Sequence, residues 1–225
     1  RVEYAPGVLI DWSVPHVEIT TEVVLRERNL ELLLCAKGTK EHESILATAA
    51  PASKIYEALG LIGLEPGQPP AFDLATKTPV PAAGQRLAIE IHTAMDGGQR
   101  VDAAHEWMRV VESKTPMPAP HWVFCGSRKT NQQLAADGEG TLICVVDFDS
   151  ALIGLGDNHD ANDATLWLET DTQRIPPLGT TCTVVIRALD EAPIELVLTP
   201  ENFFKTKDRV LDALDTAGKA DNTIV

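Results

Sequence analysis

The chain has 225 residues, of which 33 are acidic and only 19 are basic, giving a formal net charge of −14. Nucleic acids and anionic membrane surfaces bind to basic faces, so this charge balance excludes both as expected partners. The apolar fraction of 44% is ordinary for a globular protein, and with only 11 aromatic residues the core is expected to be mostly aliphatic.

Strand patterns dominate the first part of the chain. Alternating or clustered β-branched and apolar residues predict strands at 17–25, 30–36 and 45–49. A helix is predicted over residues 51–62, because Pro51 suits a first turn and Gly63 suits a helix end.

Two proline-rich connections, residues 65–84 and 116–120, separate the later strands. Long ordered loops such as the first often carry function. Thr199 followed by Pro200 predicts a C-terminal helix that ends near Gly218. The further strands are predicted at 86–92, 122–125, 142–146, 166–168, 181–186 and 194–198.

Together these elements predict an α+β fold, mainly antiparallel β-sheet with one helix after the third strand and a C-terminal helix. We expect a domain at 1–188, with residues 189–225 forming a strand and helix extension packed on it. No run of 18 apolar residues occurs, so no membrane-spanning helix is expected.

The densest group of chemically active side chains is G-T-K-E-H-E-S, residues 38–44. An imidazole can ligate a metal or act as a base, and a neighbouring carboxylate can assist it. In an extended strand the acids would point away from the histidine, so a joint site needs a turn. A solvated hairpin connection is the other interpretation. The candidate ligand-binding residues here are Lys40, Glu41, His42, Glu43 and Ser44.

A second polar constellation, D-N-H-D-A-N-D, lies at residues 157–163 within a segment that holds nine acids and no Lys or Arg. Hard oxygen ligands at this density are typical of divalent-cation sites, although the EF-hand spacing is not met. Asp and Asn are also common turn formers. We list Asp157, Asp160 and Asp163, with His42, as candidate metal ligands.

The four cysteines all lie in apolar runs, and none forms a C-x-x-C pair. This disfavours a zinc ribbon or an iron–sulfur cluster. Buried thiols are the first interpretation, and one or two disulfides stay open because the count is even. The cysteines are Cys35, Cys125, Cys144 and Cys182.

The block C-A-K-G-T-K-E-H-E-S-I-L, with the following A-x-P-A-S-K-I-Y-E-A-L-G-L-I-G-L-E-P-G-Q-P, resembles the YdjY family. W-V-F-C-G-S at 122–127 and N-D-A-T-L-W-L-E-T-D-T-Q-R-I-P-P-L-G-T at 162–180 extend the resemblance over residues 4–187. It implies a bacterial, planctomycete-type protein without an established activity, exported to the periplasm or cell surface after loss of a signal segment.

The resemblance also bears on cofactors and on the candidate site. Some relatives are labelled ferredoxin-like and carry additional cysteines that this chain lacks, so no iron–sulfur cluster is expected. A histidine is expected in the helix where this sequence has Tyr56, and Tyr56 therefore joins the candidate ligand-binding residues.

The leading hypothesis from the sequence is a non-enzymatic, exported binding or structural domain with a polar cleft around residues 40–44. It predicts no cofactor, although a divalent cation is possible. The alternative is a metal-dependent enzyme or metal-binding protein that uses His42 with Glu41 or Glu43 and a second histidine such as His92.

Overall fold

Strands are the main regular element of the structure. The computed structural model describes residues 1–131, 133–162 and 166–189. Within these residues there are two α-helices, α1 (Ala52–Leu61) and α2 (Ala135–Glu139), and two 3₁₀ turns, Glu41–Glu43 and Ala104–Trp107. The strands are β1 (Val2–Ala5), β2 (Val8–Asp11), β3 (His16–Val23), β4 (Leu32–Ala36), β5 (Ser44–Thr48), β6 (Ala71–Asp73), β7 (Thr78–Val80), β8 (Gln85–Met95), β9 (Gly98–Ala103), β10 (Met108–Val110), β11 (Trp122–Phe124), β12 (Lys129–Thr130), β13 (Gln133–Leu134), β14 (Thr141–Cys144), β15 (Ile153–Leu155), β16 (Leu168–Thr170) and β17 (Thr181–Ala188).

Eight of these strands close into a barrel. Their order is β3, β17, β8, β11, β15, β14, β4 and β5, and the ring closes where Glu22 and Val23 of β3 pair with Ala47 and Leu46 of β5. β1 and β2 extend the sheet beyond β3, and β9 extends it from β8. The pairs β4–β5 and β14–β15 are parallel, and the other pairs in the ring are antiparallel.

The core follows from side-chain alternation along the strands. On β8, Leu87, Ile89 and Ile91 are buried in the main core while the residues between them are more exposed. β11 is buried on both faces, because Trp122 joins the main core and Val123 joins a second, smaller cluster. The second cluster consists of Leu32, Cys35, Ala47, Ala82, Val123, Cys125, Cys144 and Ala151.

All four cysteines are free and buried. Three belong to the second cluster, and Cys182 lies in the main core. The interpretation of these residues as buried thiols is therefore confirmed. Burial raises the pKa of each thiol, and that of Cys125 reaches about 12.

The predicted fold class was wrong. The described structure is mostly strand around a closed barrel, with two short helices, and is not an α+β arrangement. The periodicity of single segments indicates strands but not that the first and last of eight strands pair, because that closure depends on contacts distant in sequence. The predicted strand at 194–198 and the C-terminal helix lie outside the described residues, and the domain boundary at residue 188 stays a prediction.

The helix predicted after the third strand is present as α1, with Pro51 as its N-cap and Ile55, Ala58 and Leu59 buried. The hairpin interpretation of residues 38–44 was wrong. These residues connect β4 to β5, which are parallel neighbours, so the chain must turn back before β5 begins. Among the described residues, no helix has the length and apolar character that crossing a membrane requires.

Candidate functional site

An open cleft of about 1300 Å³ lies between three loops on one side of the barrel. The proline-rich connection forms one wall, the residues that follow β11 form the second, and part of the acidic segment forms the third. The lining residues are Pro66, Gly67, Gln68, Pro69, Pro70, Ala71, Phe72, Pro79, Cys125, Gly126, Ser127, Arg128, Lys129, Asp147, Phe148, Asp149, Asn158, Asp160 and Ala161.

The proline-rich wall is held against β11 by close backbone contacts. Gly67 donates its N–H to the carbonyl of Phe124 at 2.9 Å. A Cβ on Gly67 would lie 2.0 Å from the Ala83 carbonyl oxygen, and one on Gly84 would lie 2.2 Å from that of Phe124. Because only glycine fits so near another backbone, these two glycines allow the proline-rich wall to lie directly against β11.

The second wall turns sharply at Gly126 and Ser127, whose φ angles are +88° and +63°. A Cβ on Gly126 would lie 2.6 Å from the Cβ of Pro66, so this wall touches the proline-rich one. Ser127 accepts a hydrogen bond from the Ala136 N–H through its hydroxyl at 3.1 Å. The hydroxyl thus holds the start of α2 in place.

The acidic wall is fastened by a reciprocal pair of bonds between Asp147 and His159. The Asp147 N–H donates to the His159 carbonyl at 2.8 Å, and the His159 N–H donates to Asp147 Oδ2 at 2.9 Å. The His159 ring stacks on Trp167, with centroids 4.0 Å apart. Burial raises the pKa of Asp147 and lowers that of His159.

The charges at the cleft are unevenly paired. Arg128 Nε donates to Asp149 Oδ2 at 2.8 Å, and Lys129 Nζ lies 3.1 Å from the Tyr56 hydroxyl. Asp147 and Asp160 have no Lys or Arg partner among the residues that the structure describes. Among the described lining residues, two carboxylates thus lack a positive partner, and Lys129 contacts a hydroxyl and not a carboxylate.

The candidate residues 40–44 lie beside this cleft. Lys40 Nζ sits 4.7 Å from the centre of the Phe148 ring, 3.1 Å from Glu31 Oε2 and 3.6 Å from Glu43 Oε2. His42 is 69% exposed at its side chain and lies 3.3 Å from Glu43. This polar cluster contacts the cleft through Phe148 and does not line it.

Two further members of the block serve the local fold. Glu41 accepts a hydrogen bond from the Gly38 N–H at 3.0 Å, which closes the turn. Ser44 is fully buried and donates to the Leu46 carbonyl at 2.8 Å.

Glu31 was missed by the sequence analysis, although it is only 6% exposed and joins the polar cluster of residues 40–44 through its ion pair with Lys40. Burial, together with a hydrogen bond to Glu43, raises its pKa to about 7. Burial also opposes the ionisation of Glu43, but the proton donated by Glu31 and the charge of Lys40 lower the pKa of Glu43 overall. The sequence did contain a signal for Glu31. It is a charged residue within L-E-L-L-L, a run that otherwise predicts a buried strand.

Tyr56 stands apart from His42. Its ring packs edge-on against Phe124 at 5.5 Å, and Lys129 Nζ lies 4.9 Å from its centre. The two candidate residues therefore have different neighbours. His42 contacts Glu43, whereas Tyr56 contacts Phe124 and Lys129.

The candidate metal ligands are dispersed in the described structure. Asp160 lines the cleft, Asp157 is exposed, and His42 belongs to the polar cluster. Asp163 lies outside the described residues. Over residues 1–131, 133–162 and 166–189, no three His, Cys, Asp or Glu side chains gather in a way that could hold a metal ion.

The comparison with known families gives one match. A family model described as the YdjY domain matches residues 8–187. No curated protein and no solved structure matches the chain. The matched range includes the barrel, the cleft and the polar cluster.

Proposed function

The chain belongs to the YdjY domain family, and on that premise we propose that it is a non-enzymatic binding domain whose ligand occupies the cleft. The observation that carries the proposal is the cleft itself, with a volume of about 1300 Å³ and walls fixed by backbone hydrogen bonds. Pre-formed concave sites with mostly apolar walls and a few polar groups are typical of ligand binding.

The nucleophilic side chains of the cleft support binding over catalysis. Ser127 is 5% exposed and its hydroxyl is engaged by the Ala136 N–H. The Cys125 thiol is buried, and it donates to the Ala151 carbonyl at 3.2 Å. Because a thiol with a pKa near 12 is protonated at neutral pH, Cys125 is a poor nucleophile here.

The proposal places the polar cluster in a supporting role. Lys40 contacts the Phe148 ring from outside the cleft, so the cluster fixes one of the two aromatic side chains that a ligand would meet. The proposed function also includes export to the periplasm or cell surface, as the family resemblance implies. Fractionation of cells that express the native gene tests the location.

The alternative is a metal-binding function at His42. One contact favours it, the 3.3 Å approach of His42 Nε2 to Glu43 Oε1 at an exposed position. Glu41 is engaged with Gly38 on the other side of the turn.

Nuclear magnetic resonance with a fragment library of mixed charge tests the binding proposal. We expect amide shifts to cluster on lining residues such as Gly67, Gly126 and Asn158. Phe72→Ala removes an exposed lining ring and should weaken the hits, whereas Leu178→Ala, equally exposed but outside the lining, should not. Shifts that avoid the cleft in every titration would refute the proposal.

A further inference from the structure

We infer that the natural occupant of the cleft is an extended, basic peptide segment of another protein, with Lys or Arg side chains directed to Asp147 and Asp160. This inference rests on the proposed function, because it names the ligand class of the same cleft. It is carried by three observations: the charges of the lining, the apolar character of the facing wall, and the exposed rim.

The charge pattern selects a cation. Asp149 shares Arg128 with Glu139, and the Lys129 ammonium is directed to the Tyr56 hydroxyl at 3.1 Å, whereas Asp147 and Asp160 have no basic partner within the described parts of the chain. The described lining therefore holds three acids, Asp147, Asp149 and Asp160, against the two bases Arg128 and Lys129. The chain as a whole carries −14, so its field adds to the attraction for a positive ligand and repels an anionic one. An incoming ammonium or guanidinium group would supply the missing counter-charge.

The facing wall suits the long stems of basic side chains. It presents Pro66, Pro69, Pro70 and Pro79, which have no backbone N–H to donate. Lys and Arg bury their methylene stems on apolar surface while keeping the charged end in a polar environment. A cleft with prolines on one wall and unpaired carboxylates on the other matches both parts of such a side chain.

The rim favours a protein segment over a small cation. The β6–β7 hairpin exposes Phe72, Leu74 and Val80, with 59%, 82% and 43% of their surface accessible. This apolar surface continues outward from the cleft, since Phe72 is itself a lining residue. A polyamine held by the two carboxylates would leave the hairpin uncovered, whereas a peptide that leaves the cleft over this edge would cover it. The Phe72 ring can also receive a guanidinium on its open face.

Fluorescence anisotropy with two blocked, labelled hexapeptides tests the inference: Gly-Arg-Ala-Arg-Ala-Gly and its counterpart Gly-Glu-Ala-Glu-Ala-Gly. We expect the arginine peptide to bind, more weakly as salt is raised, and the glutamate peptide not to bind. Asp147→Asn and Asp160→Asn should each raise Kd about twofold to fivefold, as expected for removing one partly exposed charge pair. Both amides keep an oxygen for the local backbone bonds. Asp96→Asn, an exposed acid in the β8–β9 turn, is the matched control and should leave Kd unchanged.

The remaining outcomes separate the inference from the proposed function. Equal binding of the two peptides, or binding of spermine in place of the arginine peptide, would overturn the inference of a basic peptide. So would an affinity that is unchanged in the Asp147→Asn, Asp160→Asn double variant while the melting temperature shows it folded. If neutral fragments shift the cleft amides and the arginine peptide does not, the inference fails and the binding domain stands. If no probe shifts those amides, the proposed function fails.

Discussion

Lys40 holds its ammonium group 4.7 Å from the centre of the Phe148 ring, and this contact joins the polar cluster to the cleft. The same ammonium lies 3.1 Å from Glu31 and 3.6 Å from Glu43. One lysine therefore balances a carboxyl pair that is largely withdrawn from water and supports an aromatic side chain of the candidate site.

Replacing Lys40 with Met should destabilise the protein. Met keeps much of the apolar stem but leaves Glu31 and Glu43 without their counter-charge, and we expect a loss of about 1–2 kcal/mol in the free energy of unfolding. Urea denaturation at pH 7 measures it. Lys37→Met is the matched control, because its pair with Glu22 is about half exposed and should cost under about 0.5 kcal/mol. Equal losses in the two variants would contradict the central role of Lys40.

Glu31→Gln should change how stability depends on pH. The folded pKa of Glu31 is about 7, above the value of 4.5 expected when unfolded, so its contribution is fully present below pH 4.5 and is lost as pH rises through 7. The wild type should therefore lose about 1–3 kcal/mol relative to Glu31→Gln between pH 4.5 and pH 8. Denaturation midpoints across this range measure the difference, with Glu41→Gln as the control. Parallel curves for the wild type and Glu31→Gln would contradict the raised pKa.

Local sequence patterns indicated many strands and α1 but not how the strands are joined. The pattern of apolar residues at 30–36 and 45–49 is the same whether the two strands form a hairpin or run parallel. Only the closure of the barrel, in which β5 pairs with β3 as well as β4, determines the parallel arrangement. That closure arises from contacts between segments far apart in the chain, which periodicity does not report.

The candidate site was foreseen in part. The proline-rich loop and the acidic segment were singled out by composition, and both line the cleft. Their meeting could not be derived, because it depends on glycines at 67 and 84 that allow the loop to lie on β11. Glu31 was hidden for a related reason: its carboxyl group is accommodated in the interior by Lys40 and Glu43, residues from the other side of a turn.

Gly126→Ala should test how the cleft walls are fixed. A methyl group there would meet the Cβ of Pro66 at 2.6 Å, in addition to the cost of a side chain at φ +88°. We expect a loss of about 2–4 kcal/mol in the free energy of unfolding. Gly38→Ala is the control, since it has φ +80° but nothing within 4 Å of the added carbon, and it should cost about 1 kcal/mol. If both variants lose the same free energy of unfolding, a clash between the added methyl group and Pro66 does not contribute to the loss.

The thiols should react slowly in the folded protein. All four cysteines are buried with raised pKa values, and a thiolate is the species that reacts with disulfide reagents. We expect Ellman's reagent to titrate four thiols after denaturation and fewer than one within minutes under native conditions. Two missing thiols in the denatured sample would instead reveal a disulfide.

His42 should not hold a stoichiometric metal ion. Its imidazole is 69% exposed and has one carboxylate neighbour, Glu43, whereas zinc sites in proteins use three or four protein ligands. Elemental analysis of protein purified without added metal, followed by zinc and calcium titrations with the melting temperature as the readout, checks this. We expect the wild type and His42→Ala to respond alike, and the two proteins to differ by under about 0.5 kcal/mol in stability, as for most exposed substitutions. A tightly bound ion that is present in the wild type and lost in His42→Ala would favour the metal-binding alternative, because the imidazole is the only group that this variant lacks.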